Sequence, residues 1–214
     1  MRRQILFLAL TIVILTVVAA SPAHAQDFNR VLVYAGGGLG YPQGNLNALF
    51  NQSGSFTAGG GYNFTRYFGV GTEYFWQDMP LNDRVLEKLQ RPNVRAQQRA
   101  WTFNPIVHVP LGQKFGTYVI GGVGWYHRFG EETTPGVGVI CDPYWSWWYG
   151  CTIGTVDFVT KSRSSNAFGE NVGVGFTYQI GESPLKIYTE VRYHHASYNH
   201  VSTQLIPITF GVRW

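Results

Sequence analysis

Charged residues are scarce in this sequence. Asp, Glu, Lys and Arg make up 13% of its 214 residues, against about a quarter in typical soluble domains. So few charges cannot cover the surface of a soluble globule. Aromatic residues, by contrast, are abundant and reach 16%. After residue 25 the chain also lacks an apolar run long enough to form a transmembrane helix. The net charge of +4 is too small to indicate a nucleic-acid partner.

The N-terminal segment predicts export. Two arginines precede an apolar stretch at 5–20, and a small-x-small cleavage site ends at Ala25. This pattern is typical of a cleaved secretory signal peptide rather than of a retained membrane anchor. We therefore expect 1–25 to be removed, which leaves a single domain at 26–214.

Cysteine is nearly absent. Cys141 and Cys151 are the only two cysteines, which argues against a cysteine-based metal site. Two cysteines ten residues apart in an exported chain predict a disulfide bond. Closing so short a ring removes roughly 2.5–3 kcal/mol of unfolded-state entropy in the simple model.

The rest of the chain alternates between apolar and polar residues. Trp101 and Phe103 fall on one face of a predicted strand, and Thr102 and Asn104 fall on the other. Eight such strands are predicted, at about 30–40, 55–64, 67–77, 98–110, 115–128, 166–180, 185–197 and 203–214. A closed barrel with its apolar face in lipid reconciles this alternation with the scarcity of charge. We predict an all-β fold, an eight-stranded antiparallel up-and-down transmembrane β-barrel.

The predicted connections differ in length. Residues 63–67, 110–115 and 180–185 form tight turns. Longer loops are predicted at 41–54, 78–97 and 129–165, with a shorter one at 198–202. The second loop contains a possible short helix at 83–91. Outer-membrane barrels have short periplasmic turns and longer extracellular loops, so we expect the long loops to face outward from the cell.

Isolated charges fall on the inner face of the predicted barrel: Glu73, Glu190, Arg192 and Arg213. Eight strands enclose a space only wide enough for side chains to fill. Because an unpaired buried charge is very costly, we predict that these four residues form a charge network that plugs the lumen.

The last strand carries apolar residues at every second position: Ile206, Ile208, Phe210, Val212 and Trp214. Together with the signal peptide and the eight alternating strands, this ending resembles the OmpA/OmpX-type family of small outer-membrane β-barrel proteins of Gram-negative bacteria. The resemblance implies residence in the cell outer membrane, among its lipid and lipopolysaccharide. It also implies that Phe210, Val212 and Trp214 act as an assembly signal for the barrel-assembly machinery. The family shares a fold rather than an activity.

The cysteine ring encloses five aromatic residues: Tyr144, Trp145, Trp147, Trp148 and Tyr149. One interpretation is a rigid aromatic knob that contacts a surface ligand, because such side chains offer large contact area at low entropic cost. The other is a small loop core, or aromatic side chains resting at the membrane interface.

One short motif suggests chemistry. His195-Ala196-Ser197 is similar to the His-x-Ser catalytic pair of the barrel-shaped lipid A deacylases, in which a histidine activates a serine for attack on an ester. That family also uses an acid on the following strand, and residues 198–214 contain no Asp or Glu.

The sequence therefore predicts a non-enzymatic barrel with a structural or surface-interaction role, no cofactor and no metal site. A narrow pore for small solutes is the first alternative, and a lipid A esterase that uses Ser197 and His195 is the second.

Overall fold

The chain forms eight β-strands in the computed structural model, which describes residues 29–89, 93–141, 148, 150–198 and 202–214. The strands are β1 (Val31–Pro42), β2 (Ser53–Asn63), β3 (Phe68–Asp78), β4 (Asn93–Pro110), β5 (Phe115–Ile140), β6 (Thr152–Gln179), β7 (Lys186–Ser197) and β8 (Ser202–Arg213). A 3-10 turn, Gly44–Leu46, follows β1, and helix α1, Asp83–Leu89, follows β3. The predicted signal peptide at 1–25 lies outside the described residues.

The strands close into a barrel. Each strand pairs antiparallel with the next, and β8 pairs with β1. The closing seam runs from Tyr34 opposite Arg213 to Pro42 opposite Leu205. Closure leaves every strand of the wall with two neighbours, which satisfies the backbone groups that lipid cannot. The predicted eight-stranded up-and-down barrel is confirmed.

No helix among the described residues is long and apolar enough to span a membrane.

The connections alternate in length as predicted. Tight turns at 64–67, 111–114 and 180–185 lie at one end of the barrel, which we call the turn end. Gly181, with φ of 61°, adopts the left-handed conformation that glycine accepts most readily. The longer connections lie at the opposite, loop end, and the predicted helix within 83–91 is confirmed as α1.

The third predicted loop, 129–165, is wrong. β5 continues to Ile140 and β6 begins at Thr152, so most of this segment is a β-hairpin. β4 also begins at Asn93, earlier than predicted, and pairs with β5 as far as Thr133. We call residues 129–140 and 152–164 the arm. A register shift between Glu132 and Thr133 marks a β-bulge at its base, which re-aims the outer part of the hairpin.

A disulfide closes the tip of the arm, as the spacing of the cysteines predicts. Cys141 and Cys151 are bonded, with their Cα atoms 4.4 Å apart. The tip is therefore anchored to both strands of the arm.

The two faces of the wall follow the predicted alternation. Trp101 is 62% exposed, whereas the next residue towards the loop end, Ala100, is 1% exposed. Large apolar side chains project outward along the other strands in the same way, as at Phe168 and Phe210. The outward face is therefore apolar where lipid contacts it, and the inward face carries the polar and charged residues.

Candidate functional site

A buried ion cluster lies inside the barrel, built from β3 and β7. The Arg192 guanidinium donates two hydrogen bonds to Glu73 across the lumen, from Nη1 to Oε1 at 2.6 Å and from Nη2 to Oε2 at 3.0 Å. Its Nε donates to Glu190 Oε1 at 2.7 Å, two residues away on the same face of β7. This fork-like geometry is the strongest form of Arg–carboxylate pairing, and it joins opposite walls of the barrel.

Neutral side chains complete the cluster. The Tyr118 hydroxyl donates to Glu190 Oε2 at 2.7 Å. Nearby, the amide of Asn171 donates to Asn104 Oδ1 at 2.9 Å, and the amide of Asn104 donates to Thr102 at 2.8 Å. These bonds link β5 to β7 and β4 to β6 across the interior.

Arg213 lies apart from this ion cluster. Its guanidinium carbon lies 4.0 Å from the ring centre of Tyr118 and 5.2 Å and 5.4 Å from those of Tyr34 and Tyr188. None of its three side-chain nitrogens has a hydrogen-bond partner among the described residues. The structure thus places Arg213 in a cage of tyrosine rings, where cation–π contact replaces a direct ion pair.

Apolar layers lie on both sides of the ion cluster. On the turn side the buried set is Leu32, Tyr34, Ile106, Tyr118, Ile120 and Tyr188. On the loop side it is Leu46, Phe75, Met79, Ala96, Ala100, Tyr126, Ala167, Ala196, Tyr198 and Leu205. His194 belongs to the loop-side layer, because its ring stacks on Phe75 with centres 4.5 Å apart.

A cavity of about 80 Å³ opens at the turn end. Its lining includes His108, Lys186 and Arg213. A space of this size holds a few water molecules.

The His-x-Ser motif lies on the outer wall. His195 and Ser197 both face outward on β7, whereas His194 faces the lumen. Glu170 of β6 lies directly opposite His195, with its Oε1 3.5 Å from His195 Nδ1. The acid that the motif lacks on the following strand is thus present on the preceding one. Sequence reasoning missed Glu170, because its proximity depends on the register between β6 and β7.

Of the five aromatic residues predicted within the cysteine ring, the structure describes one, Trp148. Trp148 at the tip of the arm is 66% exposed, while Tyr144, Trp145, Trp147 and Tyr149 lie outside the described residues. Within the part of the chain that the structure describes, no group of three or more metal-ligating side chains comes together.

The proposed assembly signal lies on the lipid-facing side of β8. Phe210, Val212 and Trp214 project outward. The backbone of Trp214 also pairs with Val33 of β1 through two hydrogen bonds of 2.8 and 2.9 Å, which complete the closing seam.

A closed eight-stranded barrel, apolar outside and ion-paired inside, defines the class, and the sequence identifies the family. Residues 10–213 match the outer membrane protein beta-barrel domain family, and the chain belongs to it. The protein resides in the outer membrane of a Gram-negative bacterium, as predicted. No curated protein sequence matches the chain significantly.

Solved structures with the same fold are distant in sequence. Neisserial surface protein A is 12% identical with a TM-score of 0.56, over 86% of this chain and 95% of that one. A major outer membrane protein from Thermus thermophilus is 12% identical with a TM-score of 0.53, over 87% and 99%. The Yersinia pestis attachment invasion locus protein Ail, in complex with the heparin analogue sucrose octasulfate, is 11% identical with a TM-score of 0.50, over 87% and 100%. At such identities the likeness extends to the fold alone.

Proposed function

We propose that the protein is a non-enzymatic surface protein whose barrel anchors the arm outside the cell. The arm carries this proposal. β6 begins at Thr152, but its first residue paired with β7 is Gly169, which lies opposite Ala196. At about 3.3 Å per residue, 17 residues span roughly 55 Å, which is longer than the apolar thickness of the membrane itself.

The surface of the arm suits contact with another protein. Val137 and Ile153 are each 77% exposed, and Val139, which pairs with Ile153, is 68% exposed. The outer edge of β6 at 152–168 has no strand beside it among the described residues. An exposed strand edge with apolar side chains is suited to the addition of an extended segment from a partner. Trp148 at the tip adds an aromatic contact.

The lumen, in this proposal, does not conduct. The buried ion cluster supports this, because Arg192 holds both carboxylates across the lumen by charged hydrogen bonds. Single-channel recordings in planar bilayers test this, since a narrow pore is the alternative function. We expect no channel events from the wild-type protein. Regular current steps that disappear with Arg192→Met would identify a pore instead, provided that they persist with Lys114→Met. Lys114 lies in the exposed turn at 111–114 and serves as the control.

The fold and location support two proposed partners. We propose that the barrel-assembly machinery recognises the outward face of β8, and that lipopolysaccharide surrounds the loop end of the barrel. The ligand of the arm is a third, external partner.

An arm-shortened variant tests the surface role. Glu132 and Lys161 are paired at the base of the arm, so replacing 133–160 by Asn-Gly gives a two-residue hairpin turn. We expect this variant to assemble normally and to resist large antibiotics as the wild type does, but to lose adhesion of the expressing cells to immobilised matrix glycoproteins.

A double substitution on the arm surface complements the arm-shortened variant. Val139→Thr with Ile153→Thr keeps the strand propensity of the pair and removes its apolar contact surface. Reduced adhesion from this pair would assign binding to the arm surface. Unchanged adhesion of the arm-shortened cells, together with increased antibiotic entry, would instead assign the protein a structural role in the membrane.

Glu170 favours a second candidate function, ester hydrolysis at the outer wall. Ser197 would attack an acyl ester of a neighbouring lipid while His195 accepts the serine proton and Glu170 orients the imidazole. The lipid alcohol would leave with that proton, and water would then hydrolyse the acyl-serine and restore Ser197. Mass spectrometry of lipid A from cells with and without the protein tests this. The activity would be established if lipid A loses an acyl chain in cells with the wild-type protein or Ser202→Ala, but not in cells with Ser197→Ala.

A further inference from the structure

A row of aromatic side chains crosses the outer wall near the loop end. Tyr74, Trp101, Trp125 and Phe168 occupy adjacent strands β3 to β6, and each is paired with the next in register. Tyr74 and Trp101 have ring centres 5.2 Å apart, and Trp125 and Phe168 lie 5.5 Å apart. Outward aromatic residues of this kind mark the level at which a bilayer passes from hydrocarbon to headgroups.

A polar row lies one outward position nearer the loop end on three of these strands, β4 to β6. Arg99 of β4 is opposite His127 of β5, and His127 is opposite Asn166 of β6. The His127 ring is oriented by Asn166, whose Oδ1 lies 2.6 Å from His127 Nδ1. Because a carboxamide oxygen only accepts, Nδ1 carries the proton and donates. Arg99 gives one of its five donors to Gln97, at 3.1 Å.

Arg99 forms no ion pair with another described residue. The acids with outward side chains near this row are Asp78 of β3, Glu131 of β5 and Glu170 of β6. Asp78 faces Gln97. Glu131 faces Arg95, and Glu170 faces His195. Arg99 instead has Trp76 and His127 as its cross-strand neighbours. It is exposed, so its guanidinium is available to an anion at the headgroup level.

We propose that Arg99 and Asn166 bind a phosphate group of lipid A in the outer leaflet, with His127 positioning the Asn166 amide. A guanidinium binds phosphate through two parallel hydrogen bonds, and the Asn166 amide supplies a neutral donor beside it. The loop end faces the outer leaflet, which consists of lipopolysaccharide in a Gram-negative outer membrane, and this location selects lipid A over the phospholipids of the inner leaflet. The aromatic row would contact the acyl chains directly below the phosphate.

Native mass spectrometry of the detergent-solubilised protein, titrated with diphosphoryl lipid A, tests this site. A basic residue near a membrane surface contributes about 1 kcal/mol, so we expect Arg99→Gln to weaken binding roughly fivefold. Arg99→Lys should retain most of the affinity. Asn166→Asp should weaken binding more than Arg99→Gln does, because it places a negative charge beside the phosphate.

The matched control is Arg66→Gln, the same substitution at an exposed arginine of the turn at 64–67. It should leave the affinity for lipid A unchanged. Equal loss in Arg66→Gln and Arg99→Gln, equal binding of lipid A without phosphates, or equal binding of phosphatidylglycerol would each overturn the proposal. The site lies outside the arm, so the arm-shortened variant should keep its affinity for lipid A even if the proposed surface role of the arm is wrong.

Discussion

β5 and β6 cross two different environments, and the same residue types have different roles in each. Within the barrel, glycines on the inner face make room for large rings. A Cβ atom on Gly175 would meet the ring of Tyr118, and one on Gly169 would meet the ring of Tyr126. In the arm, a Cβ on Gly136 would meet the ring of Phe158 from the opposite strand. Glycine serves ring packing in both places, across a closed lumen in one and between two strands in the other.

The difference between the regions lies in what encloses the rings. In the barrel, eight strands surround each inward side chain, and removal of one partner leaves the other buried without water. In the arm, the described residues form two or three strands with both faces exposed. Substitutions in the barrel should therefore change global stability, whereas those in the arm should change only local order.

Arg192→Ala should have the largest effect, because it leaves Glu73 and Glu190 buried beside each other without a counter-charge. We expect a loss of about 3–5 kcal/mol in the free energy of unfolding, measured by denaturant titration of tryptophan fluorescence in lipid vesicles. Glu73→Ala, which leaves Arg192 with one carboxylate, should also destabilise strongly.

The control for this prediction lies at the base of the arm. Arg95 is exposed and faces Glu131, so Arg95→Ala should change stability by less than about 1 kcal/mol. Similar losses for Arg95→Ala and Arg192→Ala would contradict the contrast between the two regions.

Trp214→Lys should have the next largest effect, and it should act on assembly more than on stability. Trp214 belongs to the outward face of β8, which we propose is recognised before the barrel closes. We expect a severalfold decrease of folded protein in the outer membrane, measured by the mobility difference between heated and unheated samples on gels. Phe64→Lys, an equal change at an exposed aromatic residue of the turn end, should assemble normally. Equal abundance of both variants would refute a recognition role.

The alternation of side chains made the barrel predictable, because lipid outside and a narrow lumen inside impose a period of two on every strand. The same reasoning failed in the arm. Both of its faces are exposed, so no apolar stripe is required, and residues such as Gly136 and Pro135 are typical of loops. Pairing between the two strands, not a buried face, forms this hairpin.

Side-chain contacts between strands were only partly predictable. The sequence places Glu190 and Arg192 on one face, but the contact of Arg192 with Glu73 depends on the width of the lumen. The opposition of Glu170 and His195 depends on register, and the tyrosine cage of Arg213 depends on three separate strands. A single sequence indicates the face of each residue, but it does not indicate the neighbour across the barrel.

Replacement of both cysteines, Cys141→Ser with Cys151→Ser, should loosen the arm alone. The disulfide removes about 2.5–3 kcal/mol of unfolded-state entropy in the simple model, and this effect concerns the tip rather than the barrel. We expect faster proteolysis within the arm at an unchanged unfolding midpoint. In intact wild-type cells, a membrane-impermeant thiol reagent should label the cysteines only after reduction. Labelling before reduction would show that the bond is absent on the cell surface.

Phe158→Ala should have the smallest effect, and it tests whether the arm is held by contacts between its own strands. The Phe158 ring lies over Gly136 of the opposite strand, and such a cross-strand contact contributes roughly 0.2–1 kcal/mol. We expect faster amide hydrogen exchange in 134–140 and 152–159, with no change in the exchange of the barrel strands. Val159→Ala removes an exposed apolar side chain from the same strand and serves as the control, because Val159 pairs with Thr133, whereas the ring of Phe158 lies over Gly136. A change in barrel exchange from Phe158→Ala would show that the arm and the barrel unfold as one unit, which would contradict the division between them.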